Sequence, residues 1–123
     1  MADKKVIFVA FAIEDERQRD FLKGQSLSTN SPFEYIDMSV KEPYDSNWKE
    51  RVRTRIRRSD GVIVLVSKNS LSSSGQKWEI ACAREEKKKV LGIWAYKDDR
   101  TNLPGVHTVV WTWEAIKKFI DSL

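Results

Sequence analysis

Two apolar runs, residues 62–66 (VIVLV) and 90–95 (VLGIWA), flank a serine-rich loop and a segment of helical character. Short runs of Val, Ile and Leu with no polar interruption are how strands covered on both faces read. Two such strands joined through a helix form a right-handed parallel crossover. This unit constrains the chain more than any other stretch, because parallel strands need helices on both faces of the sheet. The helix opens with Lys77-Trp78-Glu79, which places Glu79 just inside its start. In such folds the carboxyl ends of the strands border a ligand crevice, so Glu79 is the first residue to weigh for function.

The rest of the chain repeats the pattern. Residues 5–11 (KVIFVAF) predict a first strand, and 15–23 a helix anchored by Phe21 and Leu22, with Gly24 as its stop. A polar loop leads to a second strand over 33–38 (FEYIDM) and a loop containing Pro43. Asn47 and Glu50 have capping-box spacing and open a helix that runs to about Arg58. Trp48, Val52 and Ile56 recur four residues apart and form its buried stripe. Strands at 61–66 and 90–96 enclose the Glu79 helix, whose tail Glu85-Glu86-Lys87-Lys88-Lys89 sets acid before base. A turn-rich loop over 97–105, a short fifth strand over 106–111 and a helix over 113–123 complete the chain. The expectation is an α/β, flavodoxin-like domain spanning 1–123, a five-stranded parallel sheet in the order 2-1-3-4-5 with helices on both faces.

Composition closes off several functions. The net charge of +4 is a mild basic excess, not a nucleic-acid signature. The arginines of residues 51–58 cover all exposed faces of their helix rather than one stripe with interleaved aromatics, which reads as a solvated helix. No apolar stretch approaches the ~20 residues of a membrane span, and the apolar run that follows Lys4-Lys5 is better explained as a strand than as a secretion signal. One cysteine, Cys82, allows no internal disulfide, so a cytoplasmic protein is expected, with Cys82 a small core residue. There is no GxGxxG and no Walker loop. With one histidine, His107, and one cysteine, neither a zinc site nor a Cys–His nucleophile is supported, and no metal is expected.

What the crevice collects is Phe11 and Ala12 after strand one, Asp37 and Ser39 after strand two, Ser67 after strand three, and Glu79 from the third helix. A carboxylate can stabilise an oxocarbenium-like transition state when a glycosidic bond breaks, or act as the nucleophile. An N-glycosidic bond to a cationic base needs little acid help, because the base leaves neutral. On spacing alone, service to the helix dipole explains Glu79 better than catalysis does. Asp37 reads as a ribose ligand or a loop cap. Phe11 and Ala12 read as base contacts or core, and Trp48 as a stacking partner or a packed residue.

Ser67, the segment Trp78-Glu79-Ile80 and the strand Lys89-Val90-Leu91-Gly92-Ile93 resemble the TIR-like domains of bacterial Thoeris anti-phage systems. Strand one ending in Phe11, the segment Ile36-Asp37-Met38-Ser39 and the following Trp48 fit that family's order over nearly the whole chain. The resemblance implies that Glu79 is the catalytic acid, since only it matches the glutamate on the helix after the third strand. It implies cleavage of NAD, as substrate rather than cofactor, between nicotinamide and ribose. The ADP-ribose moiety would become a second messenger, as an NAD nucleosidase or ADP-ribosyl cyclase produces. Asp37 and Ser39 would orient the ribose, with Phe11, Ala12, Trp48 and Ser67 around the substrate. The implied partners are an effector that senses the product, further copies of the chain and a phage-derived trigger, with no nucleic acid and no membrane. Many relatives carry W-x-x-x-E, whereas here Gly75 stands four residues before Glu79 and the tryptophan is adjacent to it. The rival expectation is a non-enzymatic TIR-like module that scaffolds signalling through its charged helices.

Overall fold

The computed structural model describes residues 5–26, 33–36 and 47–123. Strands β1 (Lys5–Ala10), β2 (Phe33–Ile36), β3 (Gly61–Val66), β4 (Lys89–Trp94) and β5 (Thr108–Val109) alternate with helices α1 (Glu16–Ser26), α2 (Trp48–Arg58), α3 (Ser74–Glu85) and α4 (Trp113–Asp121). The sheet runs in the order β2-β1-β3-β4-β5 with every pair parallel. Among the described residues, no helix is long and apolar enough to cross a membrane.

The two central strands explain their own sequences. Every residue of β3 is buried, and so are Ile7 through Ala10 of β1. Successive side chains point to opposite faces. Ile7, Val9, Ile63, Leu65 and Ile93 therefore join Leu22 of α1 and Ile116 and Ile120 of α4 in one layer. Phe8, Ala10, Val62, Val64 and Val66 join Val52 and Ile56 of α2 and Ile80, Cys82 and Ala83 of α3 in the other. Each such aliphatic side chain contributes about 1.5–3 kcal/mol by leaving water. Cys82 is a packed core residue, and burial pushes its thiol up. Gly92 serves a close approach. A Cβ there would lie 2.6 Å from Thr108 Oγ1 and 2.7 Å from Val106 Cγ1, so only glycine lets the β5 segment come this near.

Several local expectations are corrected. Phe21 does not anchor α1. It is 60% exposed, and Leu22 alone fills the core from that pair. Gly24 does not stop the helix, which continues to Ser26. The Asn47 side chain makes no cap hydrogen bond on α2. The α2 arginines are not simply solvated. Arg53 binds Glu86 and Glu85, and Arg57 binds Glu86, each at 2.8 Å. These bonds tie α2 to the end of α3, where two carboxylates would otherwise face the negative pole of the helix. The strand expected over 106–111 is reduced to Thr108 and Val109.

Candidate functional site

The chain leaves β3 at Ser67 and turns sharply. Ser67 and Ser70 cap each other reciprocally, side chain to backbone, and open a 3-10 turn over Lys68–Ser72. Ser73 then caps α3, its hydroxyl accepting from Gln76 N at 3.2 Å. The serine-rich loop is thus a relay of caps, and α3 starts at Ser74 rather than beside Lys77. Glu79 consequently sits in the second turn, beyond the short reach of the dipole's positive end. Dipole service does not explain it.

Glu79 is 4% exposed, and burial pushes its carboxyl well above the ordinary carboxylate range. Among the described residues, no donor hydrogen-bonds its carboxyl group. A carboxylate in this setting is costly while ionised. A buried acid whose carboxyl is pushed up and that makes no hydrogen bond or ion pair among the described residues is a functional-site candidate.

Gln76 holds this helix against the strand ends. Its Nε2 donates to Leu65 O at 2.8 Å and to Ala10 O at 3.1 Å, bridging β3 and β1. Gln76 lies three residues before Glu79, so the two share a helix face. Its Oε1 is buried with no hydrogen-bond partner among the described residues. Residue type alone gave no reason to single out Gln76. Its position one turn before the candidate acid is the signal that could have found it.

A second polar node closes the neighbouring strand ends. Asp15 is fully buried in the turn after β1. It accepts from Ser67 Oγ at 2.5 Å, Asn69 Nδ2 at 2.9 Å and the Tyr96 hydroxyl at 2.7 Å. Three donors from distant parts of the chain meet on one carboxylate. Burial, and then the bond to Asp15, push the Tyr96 phenol up to about 12.

The sequence pattern of the Thoeris protein ThsB TIR-like domain matches residues 8–100. The chain belongs to this family. No curated protein matches the chain. Among solved structures, this TIR-like domain is similar to the CMP N-glycosidase BcmB of Clostridium botulinum. The TM-score is 0.60 with 18% identity, over 96% of this chain and 97% of that one. That likeness is one of fold, an α/β arrangement with a parallel sheet.

The other expected site residues of this TIR-like domain are placed unevenly. Phe11 is buried in the α1/α4 layer, with the Arg19 guanidinium 4.9 Å from its ring centroid, so its ring lies on the sheet face opposite α3. Ala12 is fully buried, and its carbonyl accepts from Asp15 N. The Ser67 hydroxyl both donates to Asp15 and accepts from Asn69 N, so it serves the turn. Trp48 packs edge-on against Trp78, ring centroids 5.2 Å apart, which joins α2 to α3. Asp37 and Ser39 lie outside the described residues. Among the described residues, no group of three or more His, Cys, Asp or Glu is placed to hold a metal.

Proposed function

We propose that this TIR-like domain cleaves the N-glycosidic bond of NAD and passes the ADP-ribose moiety on as a second messenger in anti-phage defence. The observation that carries this reading is Glu79, a buried acid with a raised pKa and no hydrogen-bond donor among the described residues. The resemblance of Trp78-Glu79-Ile80 to the family's acid-bearing helix supports the same role. Family membership and the likeness in fold to a nucleotide N-glycosidase support the same class of chemistry.

The bond that breaks joins ribose C1′ to the nicotinamide nitrogen. Its electron pair stays with the nicotinamide, which leaves neutral. Positive charge develops on the ribose, and the Glu79 carboxylate either stabilises it or bonds transiently to C1′. Water, or a hydroxyl of the same molecule or of another acceptor, then takes the ribosyl group and loses its proton. Burial suits Glu79 to this work, because an electrostatic contact with a developing cation is stronger in a dry site. Substrate NAD carries its positive charge on the nicotinamide, so its arrival favours the ionised carboxylate that the empty site disfavours. Asp37 and Ser39 orient the ribose, the backbone at Phe11 and Ala12 borders the substrate, and Trp48 shapes the far wall with Trp78. The reaction needs no metal. The product passes to a separate effector, in the cytoplasm where NAD is abundant, and self-association or a phage-derived trigger completes the site.

The test is release of nicotinamide from NAD by the purified chain, alone and with phage-infected lysate, beside Glu79→Gln. Release that drops by about 10²-fold or more in Glu79→Gln is expected for loss of a transition-state electrostatic contact. Release unchanged by the substitution would overturn the mechanism. Free cytosine from CMP, with NAD left intact, would transfer the reading to a different nucleotide.

A further inference from the structure

A crevice of about 540 Å³ opens at the carboxyl end of β4, lined by no residue of α3. This volume lies within the roughly 300–1,000 Å³ range of small-molecule sites. Trp94, Tyr96 and Trp111 supply aromatic walls, and Lys97 and Arg100 supply charge. Phe21, exposed on α1 where its neighbour Leu22 fills the core, stands at the same crevice. Phe21 thereby extends the aromatic lining of Trp94, Tyr96 and Trp111 into one contiguous surface.

The walls are held before any ligand arrives. Trp111 Nε1 donates to Gln25 Oε1 at 3.1 Å, Trp94 Nε1 to Thr101 O at 3.0 Å, and the Tyr96 hydroxyl is fixed on Asp15. The Arg100 guanidinium lies 4.9 Å from the Trp94 ring centroid. No carboxylate lines the crevice, and neither Lys97 nor Arg100 pairs with one among the described residues. Lys97 and Arg100 also border the adjoining cavity with Asp98 and Asp99, but Asp99 is engaged there by Lys68 N and Thr101. Flat rings that any base can stack on, beside two cations without a carboxylate partner, recognise an aromatic group joined to an anion.

We propose that this crevice is a second nucleotide site, separate from Glu79, in which the aromatic walls receive the base of a nucleoside 5′-phosphate and Lys97 and Arg100 receive its phosphate. The placement is independent of the catalytic reading. Trp111 and Ala95 of the crevice belong to the α1/α4 layer and Trp94 packs against the layer that includes α3, but no residue of α3 lines the crevice. Binding here gives the domain a means of sensing nucleotide without turning it over.

The experiment titrates AMP into the full chain and into Glu79→Gln, reading heat and the indole N–H signals of the tryptophans. Adenosine and inorganic phosphate are the controls. Saturable AMP binding is expected in both proteins, with the Trp94 and Trp111 signals moving and those of Trp48 and Trp78 still. The exposed double variant Lys97→Ala/Arg100→Ala should keep its folded spectrum and bind AMP roughly tenfold or more weakly, the scale of losing one or two charge-assisted contacts. Absence of saturable binding overturns the proposal. So do shifts confined to Trp48 and Trp78, or equal binding by the double variant. A concentration-dependent dimer that moves Trp94 and Trp111 without nucleotide also overturns it, since a second copy would then fill the crevice. None of these results depends on nicotinamide release, so the two readings fail separately.

Discussion

Gln76 Nε2 donates to Leu65 O at 2.8 Å, and the same nitrogen reaches Ala10 O, so one side chain of α3 spans the ends of both central strands. Glu79 follows one turn later on that face. Replacing Gln76 with Ala leaves two buried carbonyls without this donor and should cost about 2–4 kcal/mol of stability. Urea unfolding measures it. Because the amide also fixes the helix that carries Glu79, nicotinamide release should fall in Gln76→Ala even at temperatures where the variant is fully folded. A stable variant with full activity would show that the bridge positions nothing.

In the proposed mechanism Glu79 sets the pH dependence of cleavage. Burial raises its pKa, so ionisation requires a higher pH than for an ordinary carboxylate. The proposed step needs the ionised form. NAD cleavage should therefore still be climbing above about pH 5, where an unperturbed glutamate is already mostly ionised. A flat profile above that point would exclude a buried Glu79 as the acting group. Stability follows the opposite course. A carboxyl whose folded pKa is raised favours folding fully below its unfolded pKa and loses that contribution as pH rises through the folded value. Glu79→Gln, which never ionises, should be more stable than the parent at alkaline pH and close to it at acid pH. Urea midpoints across the range test this, and they separate the charge of Glu79 from its shape.

The central sheet could be read from residue order because β1 and β3 contain nothing but apolar residues where they are buried on both faces. The start of α3 could not. Residues 70–74 are mostly serine, equally suited to a loop or a cap, and only the bonds from Ser67 and Ser73 decide between them. That shift of three residues matters, since it moves Glu79 out of the first turn and removes the dipole as its explanation. Phe21 and Leu22 are adjacent on a short helix, and hydrophobicity does not say which faces inward. Asp15 is not legible as a polar node, because its three donors come from residues 67, 69 and 96, and no local spacing announces them. Glu79 is singled out as a candidate by the family resemblance, while Gln76, a polar residue with no motif, is marked in the sequence only by its position one turn before Glu79, and its role comes from its bonds.

Tyr96 and Asp15 make an independent prediction. The phenol, raised to about 12, should ionise later in an ultraviolet titration than an ordinary tyrosine near 10. Tyr96→Phe should remove that late step. Its neutral form is the one that donates to Asp15, so the stabilisation is complete below the unfolded pKa near 10 and is lost as pH rises through about 12. Tyr96 is partly exposed, so near neutral pH the substitution should cost only about 1 kcal/mol, the net value of a typical hydrogen bond. A stability difference between parent and Tyr96→Phe that persists undiminished at the alkaline end would contradict this bond.

Lys87 is the one non-glycine residue with positive φ among the described residues, at 59°. It follows the C-cap of α3, and the bonds Lys88 N to Ala83 O at 2.9 Å and Lys87 N to Arg84 O at 3.0 Å form the paired closure of a Schellman end. Glycine is the usual residue at this point because a Cβ is strained in the left-handed region. Lys87→Gly removes about 1–2 kcal/mol of that strain. It also gives the unfolded chain more freedom, which opposes the gain by about 0.4–1 kcal/mol. The net expectation is stabilisation of about 0.5–1 kcal/mol, seen as a higher urea midpoint at unchanged slope. Lys87 is exposed and lies at the opposite end of α3 from Gln76, so nicotinamide release should be unaffected. Destabilisation by Lys87→Gly would mean that the lysine side chain contributes more at the helix end than its backbone conformation costs.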